Sequence, residues 1–213
     1  MIQILKDIAP KTSKYYFAVS MGVDSVAGYF WMKTKGYNVT PIHFNHKLRE
    51  QNNAMETKFH ELCDKTNEKA IVGYGENLQT EVECREARLN FYQETLEENS
   101  TILTAHHIND YVEGYLLNCF RGHPNHTAIP LKSKFDKFSI LHPFLLTRKK
   151  DFVQFAERNH LLNYIITDET NKKISGSRRN WIRNFIVPEM EKQKLSLEKT
   201  AEKRIKKMMG VRT

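Results

Sequence analysis

The sequence predicts an α/β protein, a doubly wound parallel sheet of five strands with a basic helical tail. Three observations predict it. Short apolar runs alternate with amphipathic helical stretches, the pattern of βαβ units. Polar clusters fall where a run ends and a helix begins, the place where open parallel sheets bind ligands. Charge is divided along the chain: residues 1–171 hold 20 Lys and Arg against 21 Asp and Glu, and residues 172–213 hold 13 against 4. A near-neutral domain over 1–171 is therefore expected to carry a basic extension over 172–213. Nucleic acid is the partner such charge favours. A helix whose lysines only face water is the competing reading.

Tyr15 to Val19 (YYFAV) reads as a buried strand. Ser20-Met21-Gly22-Val23-Asp24-Ser25 then turns into a helix with Val26, Ala27, Phe30 and Trp31 apolar and Gly36 as a stop. Strand, turn and helix start make an anion site. The first N–H groups of a helix have no partner within it, and the dipole favours negative charge there. Ser20 and Ser25 add hydroxyl donors. A Walker loop, which needs GxxxxGK[ST], is not what stands here.

Tyr37 to Phe44 reads as the second strand, with Pro41 at a bulge or a gap in the ladder. It closes in the polar run His43 to Arg49. Residues 52–65 look helical and Ala70 to Tyr74 is a short third strand. The helical stretch Thr80 to Glu98 carries Arg85 and Arg88, three apart and so on one face, solvated or reaching a phosphate. Thr101 to Ala105 is the fourth strand, and His106 to Glu113 opens a helix that ends near Arg121-Gly122. Asp110 and Glu113 are i and i+3 and can point the same way, although a first-turn carboxylate such as Asp110 also serves the dipole alone. Gly122 to Lys134 reads as a loop, Phe138 to Leu141 as the fifth strand, and Arg148 to Asn159 as a helix. Tyr164 to Thr167 is extended, Asp168 to Ser177 a polar loop, and Arg178 to Met190 a helix bearing Arg178, Arg179 and Arg183. In the tail, Leu197, Ala201, Ile205 and Met208 recur at helical spacing, with Lys203, Arg204, Lys206 and Lys207 on other faces.

Composition removes several classes. A hydrophobic content of 40% suffices for a core, and no stretch approaches a membrane span or a signal peptide. Cys63, Cys84 and Cys119 are widely spaced with no CxxC, so neither a disulfide framework nor a zinc site is indicated. A reducing, cytoplasmic setting is expected.

These stretches, taken in order, resemble one family, the N-terminal catalytic domain of the tRNA(Ile)-lysidine synthetases. Those are PP-loop ATP pyrophosphatases of Rossmann-like fold, also called adenine nucleotide alpha hydrolase-like. Ser20 to Ser25 (SMGVDS) is similar to the SGGxDS loop, and Asn45 to Arg49 (NHKLR) to NHGLR. Arg85 and Arg88 resemble the ARxxR helix, and Thr104 to Glu113 (TAHHINDYVE) the TAHHxDDQxE stretch. His142 to Leu145 resembles RPLL, Asp168 to Asn171 DxSN, and Arg179 to Arg183 RNxIR. The likeness covers roughly residues 15–190, followed by the basic tail. Met21, Lys47, Asn109 and Tyr111 depart from it, replacing Gly, Gly, Asp and Gln. A Met that had to adopt φ > 0 would cost on the order of 1–2 kcal/mol.

The resemblance implies a reaction. The C2 oxygen of the wobble cytidine, in an isoleucine tRNA with anticodon CAU, attacks the α-phosphate of ATP and pyrophosphate leaves. The amine of free L-lysine then attacks C2 and displaces AMP. ATP would be bound by Ser20, Met21, Gly22, Val23, Asp24, Ser25, His43, Asn45, Thr104 and Ala105, with Asp24 holding Mg²⁺. Asp110 and Glu113 would bind lysine, and Asp24, His106, Asp110 and Glu113 would serve catalysis. Arg85, Arg88, Arg178, Arg179, Arg183, Lys203, Arg204, Lys206 and Lys207 would meet tRNA. A PP-loop tRNA thiolase, an amidotransferase-type synthetase and a catalytically impaired nucleotide- or RNA-binding relative are the alternatives. The cysteine spacing weighs against the first. The second lacks a glutaminase segment.

Overall fold

The protein is described by a computed structural model that covers residues 1–167 and 177–211. The Asp168 to Asn171 resemblance lies outside the described residues. Six strands form one sheet in the order β3-β2-β1-β4-β6-β5. They are β1 (Lys14–Ala18), β2 (Asn38–Asn45), β3 (Ile71–Tyr74), β4 (Ser100–Leu103), β5 (Lys132–Lys134) and β6 (Phe138–Leu141). All neighbouring pairs are parallel except β5 with β6.

The sixth strand corrects the five expected. Lys132–Lys134 lies in the stretch read as a loop, because Lys-Ser-Lys has no apolar residue to mark it. It pairs only by its backbone, antiparallel to β6 at the sheet edge. Charged side chains on an edge strand also discourage further pairing.

The chain first winds outward from β1 to β2 and β3, then returns to β4 on the other side of β1. The order reverses at β1 and β4, so a crevice opens at their carboxyl ends. Pro41 pairs opposite Phe17, whereas the β3 ladder begins only at Ile42 opposite Ile71. The Ile42 carbonyl faces β1, where it accepts from the Val19 N–H. Pro41 therefore faces the β3 side, one residue before that ladder begins, and its missing N–H leaves no bond unmade.

Both faces of the sheet are covered. Phe17, Val39 and Leu103 pack with Tyr29 and Met32 of α1 (Val23–Thr34), Phe59 and Leu62 of α2 (Glu50–Thr66), and Phe152 and Ala156 of α5 (Lys149–Arg158). On the other face Ile42, Ile102 and Phe138 meet Tyr92 of α3 (Glu81–Thr95). A Cβ on Gly28 would stand 3.1 Å from the Phe17 ring and 3.3 Å from Ala105 Cβ, so glycine is what lets α1 lie close on β1 and the end of β4.

A third cluster joins α4 (Ile108–Phe120) to the C-terminal helix α8 (Glu198–Met208). Ala201 and Ile205 of α8 are buried against Tyr111, Val112 and Leu116 of α4 and against Leu5. Fully burying Ile205 is worth about 1.5–3 kcal/mol. The basic tail is thus docked on the body by the apolar residues spaced for it. Between them, α6 (Arg178–Trp181) runs through a π turn (Ile182–Ile186) into α7 (Val187–Lys192). Pro188 has no N–H for the carbonyl four residues before it, a gap in the ladder next to the π turn. Leu162–Tyr164 form a 3₁₀ turn, so Tyr164, read as the start of an extended stretch, belongs to the turn instead.

Candidate active site

The Ser20–Ser25 turn sits at the carboxyl end of β1. Ser25 Oγ donates to the Gly22 carbonyl at 2.9 Å and accepts from the Ser20 N–H at 3.1 Å, which folds the loop back on itself. Met21 has φ of 60°, so the strain foreseen for that position is present. Its side chain is fully buried in the core, and its carbonyl accepts from the Ile166 N–H at 2.9 Å. Burying a Met side chain is worth about 1.5–3 kcal/mol, enough to offset a strain of about 1–2 kcal/mol. Lys47, the other residue at an expected glycine, also has positive φ, 51°. Its N–H donates to Asn45 Oδ1 at 2.8 Å.

A cavity of about 290 Å³ opens beside the loop, lined by Ser20, Gly22, His43, His46, Arg88 and Ile166 among others. His43 Nδ1 donates to the Val19 carbonyl at 2.7 Å, so its Nε2 is an acceptor, and that buried atom has no partner. Burial pulls the His43 pKa down. His46 is pulled down to about 4, by burial first and then by Arg88. Its Nδ1 is also unpartnered. Two neutral imidazoles and a guanidinium therefore face a space the right side of the loop for a nucleotide. Arg88 belongs to this cavity, while Arg85 stays on the exposed side of α3. Asn45 spends its amide on Glu56 at 2.6 Å, and so shapes the strand end from behind.

Asp24 lies in the first turn of α1. His107 Nε2 approaches its Oδ1 at 3.5 Å, and Lys149 Nζ lies 3.9 Å from its Oδ2. Oδ1 is buried without a hydrogen bond. A carboxylate oxygen held this way suits one contact to a hard cation whose other ligands are water and phosphate. Among the described residues, no cluster of three or more His, Cys, Asp or Glu could cage a metal.

His107 was not singled out in the sequence, where His106 was. The two alternate in direction. His107 is buried and caps α4, accepting from the Asp110 N–H at 3.3 Å while Asp110 Oδ2 accepts from the His107 N–H at 3.1 Å. It therefore joins Asp24 of the loop to Asp110 of α4. Burial opposes its charge, but Asp110 and Asp24 outweigh it and raise its pKa. Asp110 is shifted the other way: burial would raise it, and His107, His106 and Arg179 hold it below its usual value. Such a carboxylate binds a cation well and accepts a proton poorly. His106 points to the neighbouring strand, where its Nδ1 lies 2.8 Å from Thr104 Oγ1 and 3.1 Å from His142 Nδ1. Ala105 is buried beneath it.

Glu113 is buried and receives two arginines from the helix that follows the undescribed segment. Arg183 donates to both its oxygens at 2.8 and 2.7 Å, and Arg179 donates to Oε2 at 3.0 Å and to Asp110 Oδ1 at 3.3 Å. The sequence assigned these arginines to tRNA and the carboxylates to lysine; the fold sets them against each other. A second cavity of about 220 Å³ adjoins them, lined by Glu113, Arg183, Lys149, Glu191 and Glu198 among others. Of the tail residues, Arg204 hydrogen-bonds the Asn125 carbonyl at 3.2 Å and stacks on Tyr115, and Lys206 pairs with Glu202 at 2.6 Å. Lys203 and Lys207 are exposed on the same side of α8, and Arg178 is exposed on α6. Among the described residues no helix is long and apolar enough to cross a membrane.

The chain is 29% identical over 199 residues to the tRNA(Ile)-lysidine synthase of Coxiella burnetii (strain RSA 493 / Nine Mile phase I), covering 87% of this chain and 44% of that protein. It is 28% identical over 202 residues to the tRNA(Ile)-lysidine synthase of Lactococcus lactis subsp. lactis (strain IL1403), covering 90% and 46%. It thus spans less than half the length of the curated relatives it matches. Its fold is similar to that of the U34-tRNA thiolase NcsA from Methanococcus maripaludis with its [4Fe-4S] cluster, with a TM-score of 0.67 at 13% identity over 99% of this chain and 77% of that one. Residues 1–190 match the model of the PP-loop domain. With the loop, the switch-point crevice and that match in agreement, the chain belongs to the PP-loop domain family, ATP_bind_3.

Proposed function

We propose that this domain uses ATP to convert the wobble cytidine of an isoleucine tRNA with a CAU anticodon to lysidine. The observation that carries the reading is the Asp24–His107–Asp110 chain, in which His107 Nε2 lies 3.5 Å from Asp24 Oδ1 and the His107 N–H donates to Asp110 Oδ2 at 3.1 Å, coupling the anion-binding loop to the carboxylate helix. The family match and the similarity to tRNA(Ile)-lysidine synthases support it.

In this reading the nucleotide lies in the cavity beside Ser20 and Gly22. The α1 N-terminus meets its phosphates, and the His43 Nε2 acceptor is available to a base amino group. A Mg²⁺ held by Asp24 would neutralise charge on the leaving pyrophosphate. The cytidine C2 oxygen bonds to the α-phosphorus as the bond to pyrophosphate breaks. Lysine lies by the second cavity, where Glu113, Glu191 and Glu198 attract its charge. Its amine, once deprotonated, bonds to C2, and the C2–O bond breaks to release AMP. The depressed Asp110 holds an ammonium rather than taking its proton. Arg179 and Arg183 must yield part of Glu113 for the lysine to reach it, and RNA phosphates are competitors able to draw them off.

A thiolase-type reading fits the residues less well. Burial pushes the Cys63 thiol up to about 12, so it is neither a nucleophile nor a ready cluster ligand. The test is mass spectrometry of nucleosides from tRNA incubated with the protein, ATP and lysine. A mass gain matching lysidine, dependent on both, is expected; unmodified cytidine with every substrate bound would defeat the proposal.

A further inference from the structure

Three exposed aromatic rings lie in a row outside the buried clusters, the middle one in contact with each of the others. Phe120, at the end of α4, is 58% exposed, Trp181 38% and Phe185 51%. The Phe120 and Trp181 rings are 6.0 Å apart, and Trp181 and Phe185 are 6.1 Å apart and nearly parallel at 20°. Trp181 and Phe185 are four apart and so share one side of the helix, where α6 runs into the π turn from Ile182 to Ile186. Single exposed apolar residues are ordinary, but a contiguous aromatic surface marks a binding site.

Charge identifies the occupant. Arg178 is exposed one turn before Trp181, and Arg121 is exposed directly after Phe120. Among the described residues neither takes part in an ion pair. Residues 172–213 carry 13 Lys and Arg against 4 Asp and Glu, so a second copy of this chain would meet like charge here. An anionic, planar ligand meets both demands. Aromatic rings flanked by arginines are how single-stranded RNA is held, each unstacked base on a ring and its phosphate on a cation.

We infer that Phe120, Trp181 and Phe185 form a stacking platform for an unpaired nucleotide of the RNA substrate, with Arg178 and Arg121 on its phosphates. The inference rests on the tRNA reading above. It adds the place where the loop is opened. The same helix turns Arg179 and Arg183 inward to Glu113, so the platform stands about one helix diameter, roughly 10–12 Å, from the carboxylate site. A base stacked there would be a neighbour of the reacting one, pulled out of the loop stack so that its partner can enter the crevice.

The test compares two RNAs, a stem-loop with a CAU anticodon loop and a blunt duplex of equal length. Trp181→Ala and Phe185→Ala should each weaken stem-loop binding about 5- to 150-fold, with the salt dependence kept, because a stack of ~1–3 kcal/mol is lost and no charge. Duplex binding should not change. Trp181→Phe should retain most of the affinity, and Arg178→Gln should flatten the log–log salt slope by roughly 0.7–0.9. Thermal melts of each variant exclude unfolding. Unchanged stem-loop affinity in folded Trp181→Ala and Phe185→Ala overturns the platform, as does an equal loss on the duplex. If the platform variants behave as expected but the wild-type protein forms no lysidine, the failure belongs to the proposed reaction and not to the platform.

Discussion

Acid should destabilise this protein through its buried histidines, and His142 allows the size to be worked out. Its Nδ1 faces His106 Nδ1 at 3.1 Å and Thr104 Oγ1 at 2.6 Å, so a proton on both rings would set two donors against each other. Burial first, and then His106, push its pKa down to about 3. An unfolded histidine titrates near 6.5. Between pH 6.5 and 4.5 the unfolded state thus gains a proton that the folded state refuses. Each pH unit is worth about 1.36 kcal/mol, so His142 alone withdraws about 2–3 kcal/mol over the interval. His43, His46 and His106 are shifted the same way and add to the loss. His107 has the opposite sign. Its raised pKa gives stability that is complete below about 6.5 and fades as pH rises through the folded value, so acidification takes nothing from it. Asp110, with its lowered pKa, contributes above about 3.9 and loses that contribution only at lower pH. With a urea m-value near 3 kcal/mol/M for a chain of this size, His142 alone should lower the midpoint by about 1 M between pH 7 and 4.5, and the other three histidines should carry the fall beyond that. Urea titrations followed by circular dichroism measure it, and His142→Asn should flatten the dependence. A midpoint that does not move, or an unchanged pH slope in His142→Asn, refutes the reasoning.

Other outcomes are expected. Asp24→Asn should abolish AMP formation while Asp110→Asn keeps nucleotide affinity and loses lysine use. Calorimetric ATP binding and lysine incorporation separate them, and equal loss of ATP binding in both variants would move Asp110 into the nucleotide site. Met21→Gly should lower stability by about 1–2 kcal/mol in chemical denaturation: a buried side chain worth about 1.5–3 kcal/mol is lost and the chain freedom of glycine costs roughly 0.5–1 kcal/mol more, against about 1–2 kcal/mol of strain relieved at the 60° φ; a gain in stability would mean the strain dominates. Deleting residues 192–213 should destabilise the body, since Ala201 and Ile205 are buried on α4. Lys203→Glu with Lys207→Glu is the cleaner probe of RNA contact: it should reduce tRNA affinity and its salt dependence with little change in melting temperature, and an unchanged salt titration would confine those lysines to solvent.

Local chemistry made much of the molecule legible in the chain. The apolar run Tyr15 to Val19 followed by Ser-Met-Gly-Val-Asp-Ser sufficed for a strand, an anion-binding turn and a helix, because all three depend on neighbours in sequence. The spacing of Leu197, Ala201, Ile205 and Met208 likewise announced a helix with one apolar side. What that side would cover was not written there, and only packing placed it on α4. The edge strand Lys132–Lys134 carried no signal, since backbone pairing leaves no mark in side-chain polarity. Adjacent His106 and His107 look alike as letters. The end of β4 sends one toward His142 and the other toward Asp24, a difference of direction that exists only in three dimensions. The ion pairs that tie Arg179 and Arg183 to Glu113 span 66 and 70 residues, and like the Phe120–Trp181 ring contact they arise from how distant segments meet. Sequence determined the elements and the kind of chemistry they carry; tertiary structure decided which charges neutralise one another and which remain for a substrate, because electrostatics and burial depend on distances the linear order does not contain.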